Sequence, residues 1–245
     1  MRPPLLLIVA LFLKAAPTAE VNVAAAANLS DVFQTVGAQF QATSGIHPVF
    51  SFGSTAQLTQ QIENGAPFDV FAAADSSHVD QLEKEGKLAA RSKAVYATGI
   101  LALWIPSGSH AKITQLAELT APEVRVIAIA RPELAPYGEA TVETLQHLGI
   151  WEQVKAKVVY GDSISMAKQY GTSGNADAVF TAYSLVLKES GKVLQVDEKL
   201  HKPITQALGI VGASPRQDAA AKFTGFLLKG KGREILATHG YRVQE

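Results

Sequence analysis

The sequence predicts an α/β protein built as two lobes, each a mostly parallel sheet flanked by helices. Three observations carry this. Short apolar runs alternate with amphipathic stretches along the chain, the pattern of parallel sheets covered on both faces. The 245 residues allow two lobes of roughly 100 residues each. No linker rich in Pro, Gly or Ser divides the chain, so it must pass between lobes through strands, with candidate crossings near Thr98–Leu101 and Leu208–Gly212.

In order, Val21–Ala27 reads as the first strand. Asn28–Phe40 follows as a helix, with Leu29, Val32, Phe33, Val36 and Phe40 at helical spacing. His47–Phe52 is a strand, Ser54–Asn64 a helix ended by Gly65, Phe68–Ala74 a strand, and Val79–Glu85 a short helix stopped by Gly86. Tyr96–Ile105 is a long apolar run and Ile113–Leu119 a weak helix. Strands at Val124–Ala130, Lys157–Tyr160 and Ala176–Thr181 alternate with helices at Ala140–Leu148, Ile164–Tyr170 and Ala182–Lys188. The chain closes with a strand at Thr205–Val211 and helices at Gln217–Leu228 and Arg233–His239. With the crossings above, 20–98 and 212–245 form one lobe and 99–211 the other.

The start has the pattern of a secretory signal: Arg2, the apolar stretch Leu5–Leu13, then small residues to Ala19. The stretch is too short to span a bilayer. Cleavage after Ala19 removes Arg2 and Lys14, so 22 basic residues become 20 against 22 acidic ones, a net charge of −2. That balance gives no basic footprint for nucleic acid. There is no cysteine, which excludes disulfides, thiolate metal sites, cysteine nucleophiles and a lipid-anchoring cysteine. The expected product is a soluble monomer in the periplasm.

Chemistry is expected where strands run into helices. A helix start presents unpaired backbone N–H groups and the positive end of its dipole, and binds anions without a cation. Four junctions qualify: Ala24–Ser30, Ser51–Ala56, Ala135–Glu139 and Gly161–Ser165. Each, taken singly, is equally an ordinary helix cap. They become a site only if they converge. Enzyme signals are weak. The six histidines form no metal-ligand spacing, and no nucleophile elbow, phosphate-binding loop or dinucleotide fingerprint is present. Asp69, Asp75 and Asp80 resemble a carboxylate group but flank a strand and open a helix. A hydrolase would need a base near Ser54 or Ser173.

Ala24–Phe33 (AAAANLSDVF), Phe52–Asp75 (FGSTAQLTQQIENGAPFDVFAAAD), Ile127–Gly138 (IAIARPELAPYG) and the tail Phe226–Tyr241 resemble the periplasmic molybdate-binding proteins. APYG resembles the branch found in nitrogen-fixing bacteria. The resemblance implies a class II periplasmic binding protein fold that closes on molybdate or tungstate, uses no cofactor or catalytic residue, and delivers its ligand to the membrane permease of an ABC importer. It implies anion contacts at Ala27 and Asn28, at Ser54 and Thr55, at the Tyr137 backbone N–H with its hydroxyl as a second candidate, and at the Ile164 backbone N–H. The metal is held only as its oxyanion, through these residues. Some members place a tyrosine where this chain has Ala182, with Tyr183 beside it, and both are further candidates. Arg131 is the one cation near a junction, expected at the rim or paired with Glu133. Its pointing inward would favour a carboxylate receptor. A receptor for another oxyanion such as sulfate and a secreted α/β hydrolase are the alternatives.

Overall fold

The computed structural model describes residues 19–243. The expected signal segment, apart from Ala19, lies outside the described residues. Strands β1 (Glu20–Ala26), β2 (His47–Gly53), β3 (Val70–Ala72) and β4 (Ala94–Gly99) build a first sheet, and β5 (Leu101–Pro106), β6 (Ile127–Ala130), β7 (Val158–Gly161), β8 (Ala178–Ala182) and β9 (Gly191–Gln195) a second. The last strand, β10 (Ile204–Ile210), returns to the first sheet.

The two sheets share one plan. Their orders are β2-β1-β3-β10-β4 and β7-β6-β8-β5-β9. In each, the fourth strand alone runs antiparallel to its neighbours: β10 in the first, β5 in the second. Both strands enter their sheet directly after the chain has changed lobes. The expected mostly parallel sheets are present, and the departure from full parallelism is the trace of the crossings.

The first crossing is a single residue, Ile100, between β4 and β5. The apolar run Tyr96–Ile105 is therefore two strands in two different sheets. The second crossing is not near Leu208–Gly212. Residues Ile204–Ile210 pair with β3 and β4, so the chain changes lobes through 196–203 and the boundary expected between 211 and 212 moves back to that segment. The reason is burial. Leu208 and Ile210 face one side of the first sheet and Ala207 the other, so this strand belongs to the first core.

Period-two alternation explains the first lobe. Val21, Val23 and Ala25 of β1 face a core with α1 (Ser30–Ser44), α7 (Gln217–Leu228) and α8 (Gly230–Thr238), while Ala24 faces α2 (Thr55–Glu63) and α3 (Ser77–Lys84). Phe40 and Phe223 meet edge to face, 5.2 Å between ring centres, locking α1 to α7. The second lobe packs α4 (Pro136–His147), α5 (Trp151–Val154) and α6 (Ile164–Thr172) around its own sheet. The expected helix Ala182–Lys188 is only a 3-10 turn, Tyr183–Leu185. Strand β9, with the pattern GKVLQ, and the one-turn helix α5 carry too little periodicity to be predicted.

Candidate functional site

Each of the four expected junctions is a helix start at a strand end. After β1, Ala27–Leu29 makes a 3-10 turn before α1. Asn28 is buried there, its Nδ2 donating to Gln206 Oε1 (3.0 Å) and Tyr241 Oη (3.1 Å), while its Oδ1 has no partner. After β2, Ser54 precedes α2 in an extended conformation but does not cap it, and its buried Oγ is also unpartnered. Thr55 opens α2, and its Oγ1 accepts from Ala74 N at 3.2 Å, leaving its own proton free to donate. A serine before a helix normally satisfies an N–H of the first turn. Ser54 instead remains uncommitted.

In the second lobe, Ala135 has no side chain to cap α4, and Pro136 takes the first helical position, where the missing N–H costs nothing. Tyr137 comes next. Gly138 is required because a Cβ there would lie 2.2 Å from Ala130 O, so the helix start can sit against the end of β6 only without a side chain. At the fourth junction Ser163 caps α6 by accepting from Met166 N, which leaves the N–H of the first residue, Ile164, outside the cap.

The lobes bring these starts together in pairs. Ser165 Oγ donates to Ala27 O at 3.0 Å, joining the fourth junction to the first. Ala56 N donates to Leu134 O at 3.2 Å, joining the second to the third. Gln206 Nε2 donates to Tyr137 Oη at 2.9 Å and links the third to Asn28. The lobes are closed: Ala27, Asn28, Ser54, Thr55, Tyr137 and Ile164 are all at most 5% exposed. None of the hydrogen-bond partners of Asn28, Ser54, Thr55 or Tyr137 is a charged side chain. Burial holds the hydroxyls of Tyr96, Tyr137 and Tyr241 well above the ordinary tyrosine range, so all three stay protonated.

The remaining candidates lie near the first crossing. The Tyr137 hydroxyl accepts from Gln206 beside Gly99, which leaves its proton uncommitted. Tyr183 N donates to Ile100 O at 2.9 Å and its ring lies beside Gly240, while Ala182 is buried and pairs with Leu101. Both belong to the crossing region. Arg131 pairs with Asp162, not Glu133, and lies over the Tyr160 ring, with its side chain 47% exposed. The three acids are separately occupied: Asp69 by Arg216 and Ser214, Asp75 by His78, Asp80 by Lys93. Among the described residues no histidine hydrogen-bonds Ser54 or Ser173. No group of three or more His, Cys, Asp or Glu side chains there could hold a metal ion.

Ser165 lies in the fourth expected junction, and residues not foreseen from the sequence complete the picture: Tyr96, Gln206, Ser184 and Tyr241. Gln206 had a signal, being the one amide side chain in the mostly apolar strand ITQALGI. The others lie far apart in the chain and only the fold assembles them.

Residues 21–242 match the family of bacterial extracellular solute-binding proteins. Among its relatives is the molybdate-binding protein ModA of Azotobacter vinelandii, 38% identical, with 94% of this chain and 92% of that protein covered. ModA of Rhodobacter capsulatus is 37% identical over 97% and 93%. The chain belongs to the molybdate-binding protein family. A solved structure of the Azotobacter vinelandii periplasmic molybdate-binding protein superposes with a TM-score of 0.88, at 29% identity, over 92% of this chain and all of that one. Family members are solute carriers, not enzymes. The sulfate-binding protein SubI of Mycobacterium tuberculosis shares the fold at 17% identity and a TM-score of 0.77. No helix among the described residues is long and apolar enough to cross a membrane.

Proposed function

We propose that this chain captures molybdate, and tungstate with it, outside the cytoplasm and hands it to the membrane permease of an ABC importer. The reading rests on four buried helix starts that hydrogen bonds link across the lobes, without a charged partner, and on a buried Ser54 hydroxyl that has no protein partner. Unpaired buried polar groups are costly. A tetrahedral dianion relieves that cost at Ser54 by accepting from its hydroxyl, and accepts as well from Thr55, from the Nδ2 of Asn28 once that amide is turned, and from the backbone N–H groups of Tyr137 and Ile164. The helix dipoles supply the positive potential that a lysine or arginine would otherwise provide.

Selectivity follows from the donor set. Hydrogen phosphate carries a proton that would face a donor and stay unpaired, so it is disfavoured. Sulfate has no such proton and must be rejected by size, because its shorter S–O bonds would leave long contacts to donors spaced for a larger anion. The half-exposed, paired Arg131 gives a carboxylate receptor no support. The protein acts as a monomer after removal of residues 1–19. Isothermal titration of residues 20–245 with molybdate, tungstate, sulfate and phosphate tests the reading. Tight binding of the first two alone is expected; sulfate binding as tight as molybdate binding would overturn it.

A further inference from the structure

Six polar side chains from both lobes meet in one buried cluster behind the helix starts. Asn28, Tyr96, Gln206 and Tyr241 come from the first lobe, Tyr137 and Ser184 from the second. Gln206 is central and fully buried. Its Oε1 lies 3.0 Å from Asn28 Nδ2 and 2.7 Å from Tyr96 Oη, and its Nε2 lies 2.9 Å from Tyr137 Oη. Tyr241 Oη donates to Asn28 O at 2.7 Å and stands 3.1 Å from Ser184 Oγ.

In this arrangement Asn28 spends its amide hydrogens on Gln206 and Tyr241 and leaves Oδ1 unpaired. A dianion only accepts hydrogen bonds, so a free amide oxygen is the wrong end of Asn28 to offer it. To donate, the Asn28 amide must turn over. That would set Asn28 Oδ1 against Gln206 Oε1, two acceptors at hydrogen-bond distance, so Gln206 must turn as well. After both turns, Gln206 Nε2 donates to Asn28 Oδ1 and to Tyr96 Oη. Tyr96 then gives its one proton to Ala73 O, 2.8 Å away. Gln206 Oε1 now accepts from the Tyr137 hydroxyl. Tyr241 Oη, 3.1 Å from the turned Asn28 Oδ1, swings its proton to that oxygen, and Ser184 Oγ, 3.3 Å from Asn28 O, donates there in its place.

We propose that Gln206 is a positioning residue: its amide and that of Asn28 turn as a pair, and the Tyr137 hydroxyl from the opposite lobe holds the pair with Asn28 Nδ2 facing the anion. This rests on Asn28 being an anion ligand. It makes the donor dependent on closure, because Tyr137 reaches Gln206 only across the lobe boundary. Gly99 keeps that path open; a Cβ there would stand 2.2 Å from Tyr137 Oη and 2.5 Å from Gln206 Nε2.

Molybdate titrations of Gln206→Met, Asn28→Ser and the double variant test the pairing. A serine hydroxyl turns about its own bond and needs no neighbour to orient it. Gln206→Met is expected to weaken binding at least tenfold beside Asn28 and less than twofold beside Ser at position 28. Tyr137→Phe, which removes only the hydroxyl, is expected to give the same pattern and serves if the methionine variant does not fold. An equal loss in both backgrounds means a merely structural role and overturns the proposal, as does no loss in either. Asn28→Ala provides the separation. If it binds molybdate like the wild type, the site assignment itself fails. If it binds weakly while Gln206→Met binds normally, only the role of Gln206 fails.

Discussion

Ser54→Ala should move stability and binding in opposite directions. The Ser54 hydroxyl is 2% exposed and hydrogen-bonds no protein atom. An unsatisfied buried polar group costs about 1–3 kcal/mol. Alanine removes that cost in the ligand-free protein while leaving a void of only one oxygen, so the net gain is about 1 kcal/mol. For a chain of this length that raises Tm by about 2–4 °C. In the proposed complex the same hydroxyl donates to a charged acceptor, a bond worth about 1.5–3 kcal/mol. Its loss weakens molybdate about 10- to 150-fold. Calorimetric melting without ligand and isothermal titration with molybdate read the two halves separately. A variant with lower Tm and unchanged affinity would refute the reasoning, since Ser54 would then be a structural hydroxyl with a partner in its own fold.

Three further outcomes are expected. Gly138→Ala places a methyl 2.2 Å from Ala130 O and should destabilise by about 1–3 kcal/mol, with weakened molybdate binding because Tyr137 N–H is displaced; thermal melting and titration check this. Asp69→Ala removes a fully buried carboxylate that accepts from Asn22 N (2.6 Å), Ser214 Oγ (2.6 Å) and Arg216 Nε (2.8 Å). It should lower the urea midpoint by the equivalent of about 1.5–3 kcal/mol with little change in affinity. The hydrogen bond that His78 Nδ1 donates to the Asp75 carboxylate raises the His78 pKa, against the opposing effect of burial. Protonated His78 therefore contributes stability that is full below about pH 6.5 and is lost as pH rises through the raised folded value. The wild type should lose stability relative to His78→Gln across that window, by less than about 1 kcal/mol because the pair is partly exposed. An equal pH dependence in both proteins would refute the pairing.

The sequence by itself determined the α/β class, the alternation that buries both faces of each sheet, and the four junctions at which a strand runs into a helix start. These are local properties. Apolar period, small residues at strand ends and the Pro-Tyr-Gly turn act within a few residues, so the pattern AAAANLS or APYG is legible without the fold. The family motifs carried the ligand class for the same reason, each being a contiguous segment around one junction. The sequence did not determine which sheet received Ile204–Ile210. An apolar strand fits either lobe, and only the pairing partners β3 and β4 and the two faces they leave to cover settled it.

The convergence of the four helix starts was likewise decided in three dimensions. Ser165 reaches Ala27 and Gln206 reaches Asn28 across 138 and 178 residues, separations that no local pattern encodes. The fate of single side chains followed from that packing. Tyr137 gave its hydroxyl to the crossing, and Tyr183 turned its ring toward Gly240. A residue type fixes which hydrogen bonds a side chain can make; the fold fixes which partners come within 3 Å of it, and in this protein that choice separates a hydroxyl left without a partner, Ser54, from donors spent on holding the lobes together, Ser165 and Gln206.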